Sequence, residues 1–548
     1  MRILVIGAVA AGTSAAAKAR RNDDSAEIII YEKDKDISYS GCGLPYYIGG
    51  EIRDIGELTP RDSAFFKKKY NIDVFIGFEV LKIDTHNKEL TVKDLNTNKI
   101  FNDKYDKLVI ATGATVFVPK ITGVDKDNVF FLRNVQSARN IRNFIEERKP
   151  RNAVIAGTGF IGFEMLENLM ADGINVNIIE KQSKITPNLD EDMAAFLEDA
   201  LLKKNITIIK NTGIIDIHED KVILEDGTEV ASDMVIMATG VKPNIILAKN
   251  AGIEIGVTGA IKVNTKMQTN IEDVYSCGDC IETFSVITGK PVYRPLGSTA
   301  NKTGRIAGDV LSGGTLEYRG NLSTGIFKLF DMTIASTGLS EKEAINEGYE
   351  IVVCHNIKLD KPDYFHGKEM LIKAIADKAS QKILGVQIIG YVGVDKRIDV
   401  FVTLITYGAK VSDLFHLDLA YAPPFSTTKD PVHYTGMILD NVLNNNRPLI
   451  TVRDTQELVS RGEKIQVIDA RVRKQYDESH VIAAVNIPHD KLRNELENLD
   501  KDLLTITYCN KGVTGNAAQN ILINHGFNKV YNLSGGHKFY NATKTKLK

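Results

Sequence analysis

"NAVIAGTGFIGFEMLENLMADGINVNIIEK", residues 152–181, decides how the chain is read. An apolar, strand-like run leads into a turn where Gly157, Gly159 and Gly162 fit the spacing G-x-G-x-x-G. A helical stretch follows, then a second strand ending in Glu180, 18 residues past Gly162. Each part has a physical job. Gly157 permits the tight turn, Gly159 lets a pyrophosphate approach the backbone, and Gly162 lets helix and strand pack closely. The helix N-terminus offers free N–H groups and a partial positive charge to phosphates. A carboxylate at Glu180 suits the two hydroxyls of an adenosine ribose and repels a 2′-phosphate. That favours NADH, although Lys181 beside it weakens the preference and leaves NADPH open.

A related unit opens the chain about 150 residues earlier, in "MRILVIGAVAAG". Arg2–Ile6 reads as a strand, residues 7–12 as a glycine turn, Thr13–Arg21 as an alanine-rich helix, and Glu27–Lys33 as the next strand. Gly7, Gly12 and Glu32 are in place, with Lys33 next to the acid, but Val9 stands where the middle glycine belongs. "TNIEDVYSCGDC" (269–280) is a strand-like run ending in a Gly-Asp pair that contains Asp279. "ATGA" (111–114, with Thr112 and Gly113) and "ATGVKPN" (238–244, with Gly240) look like strand ends where the chain leaves each nucleotide domain. Together these four signals resemble the pyridine nucleotide–disulfide oxidoreductase superfamily, over about residues 1–445. The resemblance implies an α/β fold with two Rossmann-like dinucleotide-binding domains, FAD in the first and NADH in the second. Asp279 would bond the ribityl chain or phosphate region of FAD, and Thr299 and Ala300 in "LGSTANKTGRIAG" (296–308) would line the flavin.

Composition sets outer bounds. The 548 residues are 43% hydrophobic and 25% charged, with a net charge of −2. That allows several domains with large cores and gives no sign of a nucleic-acid partner. Five cysteines are too few for a disulfide scaffold, and a reducing cytoplasm is the expected setting. The N-terminus runs straight into a strand, so no signal peptide is expected, and no apolar run approaches the ~20 residues of a membrane span. Cys354-His355 has no companion ligands, so no metal site is expected.

"SYSGCGLPYYIGG" (38–50) holds a lone Cys42; the position five residues on is Tyr47, so no dithiol exists in this segment. The segment after Cys42 reads as helical, which would put the sulfur at a helix N-terminus and lower its pKa. Ser38 and the C-G-L-P-Y run resemble the single-cysteine branch of the superfamily: coenzyme A-disulfide reductases, NADH peroxidases and NADH oxidases. Cys277 and Cys280 form a C-x-x-C, but Gly278 and Asp279 between them are accounted for by FAD, which leaves inert packing as the main reading.

"NNNRP" (444–448) reads as a linker. Beyond it, Asp469 and Arg471, the stretch His480–Pro488, a C-x-x-G loop from Cys509 to Gly512, and Leu533–Gly536 resemble a rhodanese domain. Backbone N–H groups and the following helix would stabilise a thiolate or persulfide on Cys509. Thr514 stands where many members carry arginine, which reduces positive charge for an anionic donor such as thiosulfate; transfer from a persulfide is less affected. The implied domains are 1–118 with 255–325 (FAD), 119–254 (NAD), 326–446 (α+β dimerisation) and 447–548 (rhodanese).

The whole chain resembles coenzyme A-disulfide reductase–rhodanese fusions, also described as NADH-dependent persulfide or polysulfide reductases. The resemblance implies a homodimer acting on a small sulfur substrate, with coenzyme A as substrate or bound ligand. Asn301 and Arg305 would line the flavin and coenzyme A channel, while Arg20, Arg21 and Lys67–Lys69 suit its phosphates. "DLAYAPPFSTTKDPV" (418–432) would reach the partner's flavin site, making Tyr421 a hydrogen-bond donor beside Cys42, with Tyr364 in "DYFHG" (363–367) a second candidate. Phe365 and His366 depart from the family pattern around Tyr364. An NADH oxidase or peroxidase cycling through a sulfenic acid, a chain that is mainly a sulfurtransferase, and a non-enzymatic redox-sensing adaptor are the alternatives.

Overall fold

The computed structural model describes residues 1–547. Contacts divide the chain into two units: Met1–Lys181 with Ile208–Asn321, and Gln182–Thr207 with residue 322 onward.

Both nucleotide folds lie in the first unit. In the first, Arg2–Ile6 is flanked by Lys107–Ile110 and Glu27–Glu32, with Val274–Ser276 and Asp73–Ile76 outside them, all parallel. Strands covered on both faces read as apolar runs, and Ile3, Leu4 and Val5 are wholly buried. The first helix is longer than the sequence indicates, Ala10–Asn22, because Val9 takes the N-cap position and lets Ala10–Gly12 join the helix. Helix Gly297–Leu311 packs so tightly on it that a side chain at Gly304 would meet the Ala11 carbonyl at 2.3 Å. In the second fold the order is Asn175–Glu180, Asn152–Ala156, Met234–Met237, Val129–Phe130, again parallel.

The second unit joins two unlike sheets. An antiparallel sheet runs Gly325–Leu329, Met332–Gly338, Ile383–Gly390, Glu369–Asp377, Ile351–Leu359. A parallel one runs Leu449–Ile450, Val530–Leu533, Leu504–Tyr508, Ile465–Asp469, Ala484–Asn486. The linker between them is tied down, since the Pro448 carbonyl accepts from Asn532 N (3.1 Å) and Gln519 Nε2 (2.8 Å). Helix Glu191–Leu202 packs here too, through a buried ionic cluster. The Lys373 side chain, 1% exposed, reaches Asp190 at 3.0 Å, Asp192 at 2.7 Å and Glu341 at 2.6 Å. His355 extends the cluster: its ring bonds Asp192 at 2.7 Å and Ser534 Oγ at 2.9 Å, and stacks on Phe539. One network thus pins the helix, the antiparallel sheet and the parallel sheet together. Among the described residues no helix is long and apolar enough to cross a membrane.

Breaking a buried ion cluster by removing one partner costs about 3–5 kcal/mol because the remaining charges stay desolvated. Lys373→Met is therefore expected to lower the free energy of unfolding in urea by that amount at pH 7. Burial opposes ionisation of Asp192, but Lys373 and His355 outweigh it and hold its carboxyl well below the ordinary 3.8. Its stabilisation is present above that value and is lost as the pH falls below it. The penalty of the substitution should accordingly shrink below pH 3.8; an equal penalty at pH 7 and pH 3 would refute the assignment.

Candidate active site

The two glycine turns are built alike. Gly7 has φ +104° and Gly157 φ +108°, the left-handed region that glycine tolerates best. A Cβ on Gly12 would lie 1.9 Å from the Gly7 carbonyl, and one on Gly162 would lie 2.2 Å from the Gly157 carbonyl. Helix and turn can meet only because those side chains are missing. Val9 needs no such freedom: its φ is −95°, open to a β-branched residue. Gly159 and Gly240 leave open space where a Cβ would point.

The acids at the strand ends are in register with the turns. Glu32 accepts from Ala8 N (2.8 Å) and Asp34 N (3.0 Å), and burial is the main force raising its pKa. Glu180 accepts from Thr158 N (3.0 Å) and Thr158 Oγ1 (2.5 Å). Each acid is steadied by the turn, as a ribose ligand must be. Lys33 is exposed, and Lys181, which tempers the NADH reading, pairs with Glu225 at 3.2 Å.

Asp279 tests the fit to FAD. Burial raises its pKa, and Arg133, 3.4 Å away and itself bonded to the Ala114 carbonyl, only partly offsets this. A buried carboxylate with one long ion pair has lone pairs left for hydroxyl donors, which is what a ribityl chain presents. Thr112 is exchanging bonds with Asn244 (2.7 and 2.8 Å), while Thr299 and Ala300 are buried in the first turn of Gly297–Leu311. Gly113, next to Thr112 in sequence, adopts φ +66°. The residues present fit FAD at the first turn and NAD(P)H at the second.

Cys42 lies in a 3-10 turn, Gly41–Gly43, that runs into helix Leu44–Ile48. Arg142 fastens the helix end by donating to the Ile48 carbonyl at 2.8 Å. Gly49 packs against Asn168 of helix Phe160–Ala171, where a Cβ would meet Asn168 Oδ1 at 2.1 Å. The cysteine segment is thereby locked onto the helix that starts at the second glycine turn. All five cysteines are free; Cys42 is exposed and the other four are buried. Cys277 and Cys280 carry raised thiol pKa values, mainly from burial, as inert packing requires.

The expected lowering of the Cys42 pKa is overturned. The sulfur reaches solvent, yet the walls around it desolvate a thiolate, and Glu164 and Asp279 add negative charge; all three raise the pKa. A five-residue helix offers little dipole against them. Glu164, which the sequence reading missed, is itself pushed up to about 7, by burial first and then by Glu167. Its signal was an acidic pair at i, i+3 on an otherwise apolar helix just past Gly162.

The residues assigned to substrate divide. Arg20 is corrected: it is buried, and its guanidinium donates to the carbonyls of Tyr70 (2.8 Å), Asp24 (2.6 Å) and Asn71 (3.0 Å), so it is a strut and not a phosphate ligand. Arg21 and Arg305 are exposed, Ser38 takes φ +48°, and Asn301 accepts from Ser14 Oγ at 2.8 Å. Tyr364 and Tyr421 belong to the second unit, 70% and 47% exposed.

In the second unit Cys509 directly follows strand Leu504–Tyr508 and precedes helix Val513–Asn524. Its carbonyl accepts from His537 N at 2.8 Å, and Gly536 lies so close that a Cβ would sit 2.5 Å from that oxygen. Asp469 holds Arg471 (2.6 Å) and accepts from Tyr508 Oη (2.6 Å), while Arg471 donates to Asn510 Oδ1 at 3.3 Å. The loop is clamped from both sides.

The charge around Cys42 gives a test. Glu164→Gln removes a negative neighbour, so alkylation of Cys42 by iodoacetamide should titrate at a lower pH than in the unaltered protein. A profile unchanged or shifted upward would contradict the assignment.

Residues 1–300 match the pyridine nucleotide-disulphide oxidoreductase family, 325–431 its dimerisation domain, and 451–543 the rhodanese-like domain. The chain is 37% identical over 443 residues to the NAD(P)H sulfur oxidoreductase (CoA-dependent) of Pyrococcus furiosus, covering 80% of this chain and 99% of that protein. The fold superposes on reduced CoADR-RHD of Bacillus anthracis with TM-score 0.97 and 37% identity, covering 100% of this chain and 98% of that one. On the NAD-dependent persulfide reductase of A. fulgidus the TM-score is 0.92 at 35% identity, covering 98% and 100%. With two glycine turns shaped for FAD and NAD(P)H, the chain belongs to the pyridine nucleotide-disulphide oxidoreductase family, followed by that family's dimerisation domain and a rhodanese-like domain.

Proposed function

We propose that the chain is an FAD-dependent NAD(P)H reductase of sulfane sulfur and disulfide bonds in coenzyme A persulfide, coenzyme A disulfide and polysulfide, with Cys42 as its redox thiol and Cys509 as a carrier of persulfide sulfur. The observation that carries it is the placement of one exposed thiol, Cys42, in the turn that leads into a helix locked to the second nucleotide fold, under the charge of Asp279 from the first. The similarity to a CoA-dependent sulfur oxidoreductase and to a persulfide reductase supports it.

Gly7, Gly12, Glu32, Asp279 and Thr299 would hold FAD, and Gly157, Gly159, Gly162 and Glu180 the nicotinamide dinucleotide. When bound, FAD supplies a two-electron relay between a nicotinamide and a sulfur–sulfur bond. The Cys42 thiolate attacks one sulfur of the substrate; a Cys42–S–S bond forms, the old sulfur–sulfur bond breaks, and the leaving thiolate departs. Two electrons then cleave the new bond and restore Cys42, releasing thiol or hydrogen sulfide. Glu164, with a pKa of about 7, can hold or give up a proton beside that sulfur. Arg21 and Arg305 meet the coenzyme A phosphates. The chain works as a homodimer in which Tyr421 and Tyr364 donate hydrogen bonds beside the partner's Cys42, and Glu180 makes NADH the preferred donor.

Cys42→Ser should lower NADH-dependent reduction of coenzyme A disulfide or persulfide by roughly a thousandfold or more, while NADH oxidation by ferricyanide continues. Retained persulfide turnover, or oxygen consumed as fast as persulfide, would overturn the reading. Glu180→Ala should raise KM for NADH more than KM for NADPH; a change in the two by equal factors, or no change, would remove the carboxylate from nicotinamide selection.

A further inference from the structure

Lys181 directly follows strand Asn175–Glu180, and its Nζ lies 3.2 Å from Glu225 Oε1. Three stretches far apart in sequence meet there. Gly213 is in the loop after Thr207–Lys210, the neighbouring strand of the sheet, and Glu225 follows Lys221–Leu224 of a separate three-stranded sheet. Glu225 N donates to the Gly213 carbonyl at 3.0 Å. A Cβ on Gly213 would lie 3.1 Å from Glu225 Oε1 and 3.8 Å from Lys181 Cδ, so the missing side chain lets acid and lysine close over the same spot. The turn beyond Glu225 is tight. Leu224 N donates to the Thr228 carbonyl and Gly227 N to the Leu224 carbonyl, both at 2.9 Å, and Gly227 takes φ +84°. Glu225 is thus presented from a fixed frame.

The pair bears on the ribose end of a dinucleotide. Glu180, 7% exposed, is bound to Thr158 of the glycine turn. A 2′-phosphate carries about −1.5 to −2 charge at pH 7, and Glu180 repels it. Lys181 is the cation next to that acid. Lys184, the following lysine, is committed to the carbonyls of Pro187 and Leu189. With Glu225 on Lys181, the lysine's charge is already matched. A phosphate has to take the lysine from a carboxylate and accept a second carboxylate as neighbour, whereas a ribose with a free 2′-hydroxyl meets neither penalty.

We propose that Glu225 is a specificity-determining residue for the nicotinamide donor: by holding Lys181 in an ion pair it keeps that lysine from a 2′-phosphate and so disfavours NADPH. The inference rests on the reading of the second glycine turn as the NAD(P)H site, and adds to it a residue outside both the turn and its strand-end acid. An ion pair this exposed, 72% for the Lys181 side chain and 44% for Glu225, contributes little to stability, so Glu225 can be replaced without loss of the fold.

The test compares variants of the full, flavin-loaded chain. Glu225→Gln should lower KM for NADPH about threefold to fivefold, the scale of one solvent-exposed charge a few ångströms away, and leave KM for NADH and kcat with either donor unchanged. Calorimetric titration with 2′,5′-ADP, which needs no turnover, should show the same gain in affinity, while ADP-ribose should bind as it does to the parent. In a Lys181→Gln background, itself weaker toward NADPH, Glu225→Gln should bring no gain, because the effect travels through the lysine. Unchanged affinity for 2′,5′-ADP in Glu225→Gln, or a gain that persists without Lys181, would overturn the proposal alone. A parent chain that binds neither ADP-ribose nor 2′,5′-ADP would overturn the reading of the turn and the proposal with it.

Discussion

Two missing side chains hold the first unit in its working shape. A Cβ on Gly12 or Gly162 would press into the carbonyl of Gly7 or Gly157, at 1.9 and 2.2 Å. Only glycine lets each helix start directly over its own turn, and only that start points free N–H groups at a bound phosphate. The consequences spread outward. The helix beginning at Phe160 carries Glu164 toward Cys42 and presents Asn168 to Gly49, which locks the cysteine segment in place. The turn shaped for a nucleotide opens the same helix that positions the thiol segment.

The two sulfur sites sit in opposite electrical surroundings. Cys42 is reached by the charges of Glu164 and Asp279, and its thiol pKa rises. The chain's own groups therefore do not stabilise a resting thiolate there; they favour a neutral sulfur that reacts when charge is supplied or removed close by. Cys509 opens instead onto a cavity lined by Lys358, Lys429 and Lys511. The two cysteines thus meet opposite charge: carboxylates at Cys42 and lysines at Cys509.

Much of this was legible in the sequence because local chemistry dictates it. Glycine spacing, the acids Glu32 and Glu180, the solitary Cys42 and the Cys509 loop are each read within some thirty residues. Val9 looked like a defect, but its φ of −95° makes a side chain acceptable there. What was misread depends on distant partners. Arg20 looked like a surface cation, yet the carbonyls of Tyr70 and Asn71, fifty residues on, take up its guanidinium. A helix start was expected to lower the Cys42 pKa, but burial and two carboxylates from distant segments win. Thr514 was read as lost charge because Lys358, on the antiparallel sheet, and Lys429, just before helix Pro431–Asn444, are far from it in sequence, and Gln182–Thr207 packs with the second unit because Lys373, nearly two hundred residues away, needs Asp190 and Asp192.

Reduction through Cys42 requires a covalent bond between its sulfur and the sulfur it reduces. Mass spectrometry of the flavin-loaded protein, mixed with coenzyme A disulfide before and after NADH is added, tests this directly. One coenzyme A adduct per chain, mapped to Cys42, is expected, and it should disappear when NADH is supplied. An adduct on another cysteine, or one at Cys42 that NADH leaves intact, would contradict it.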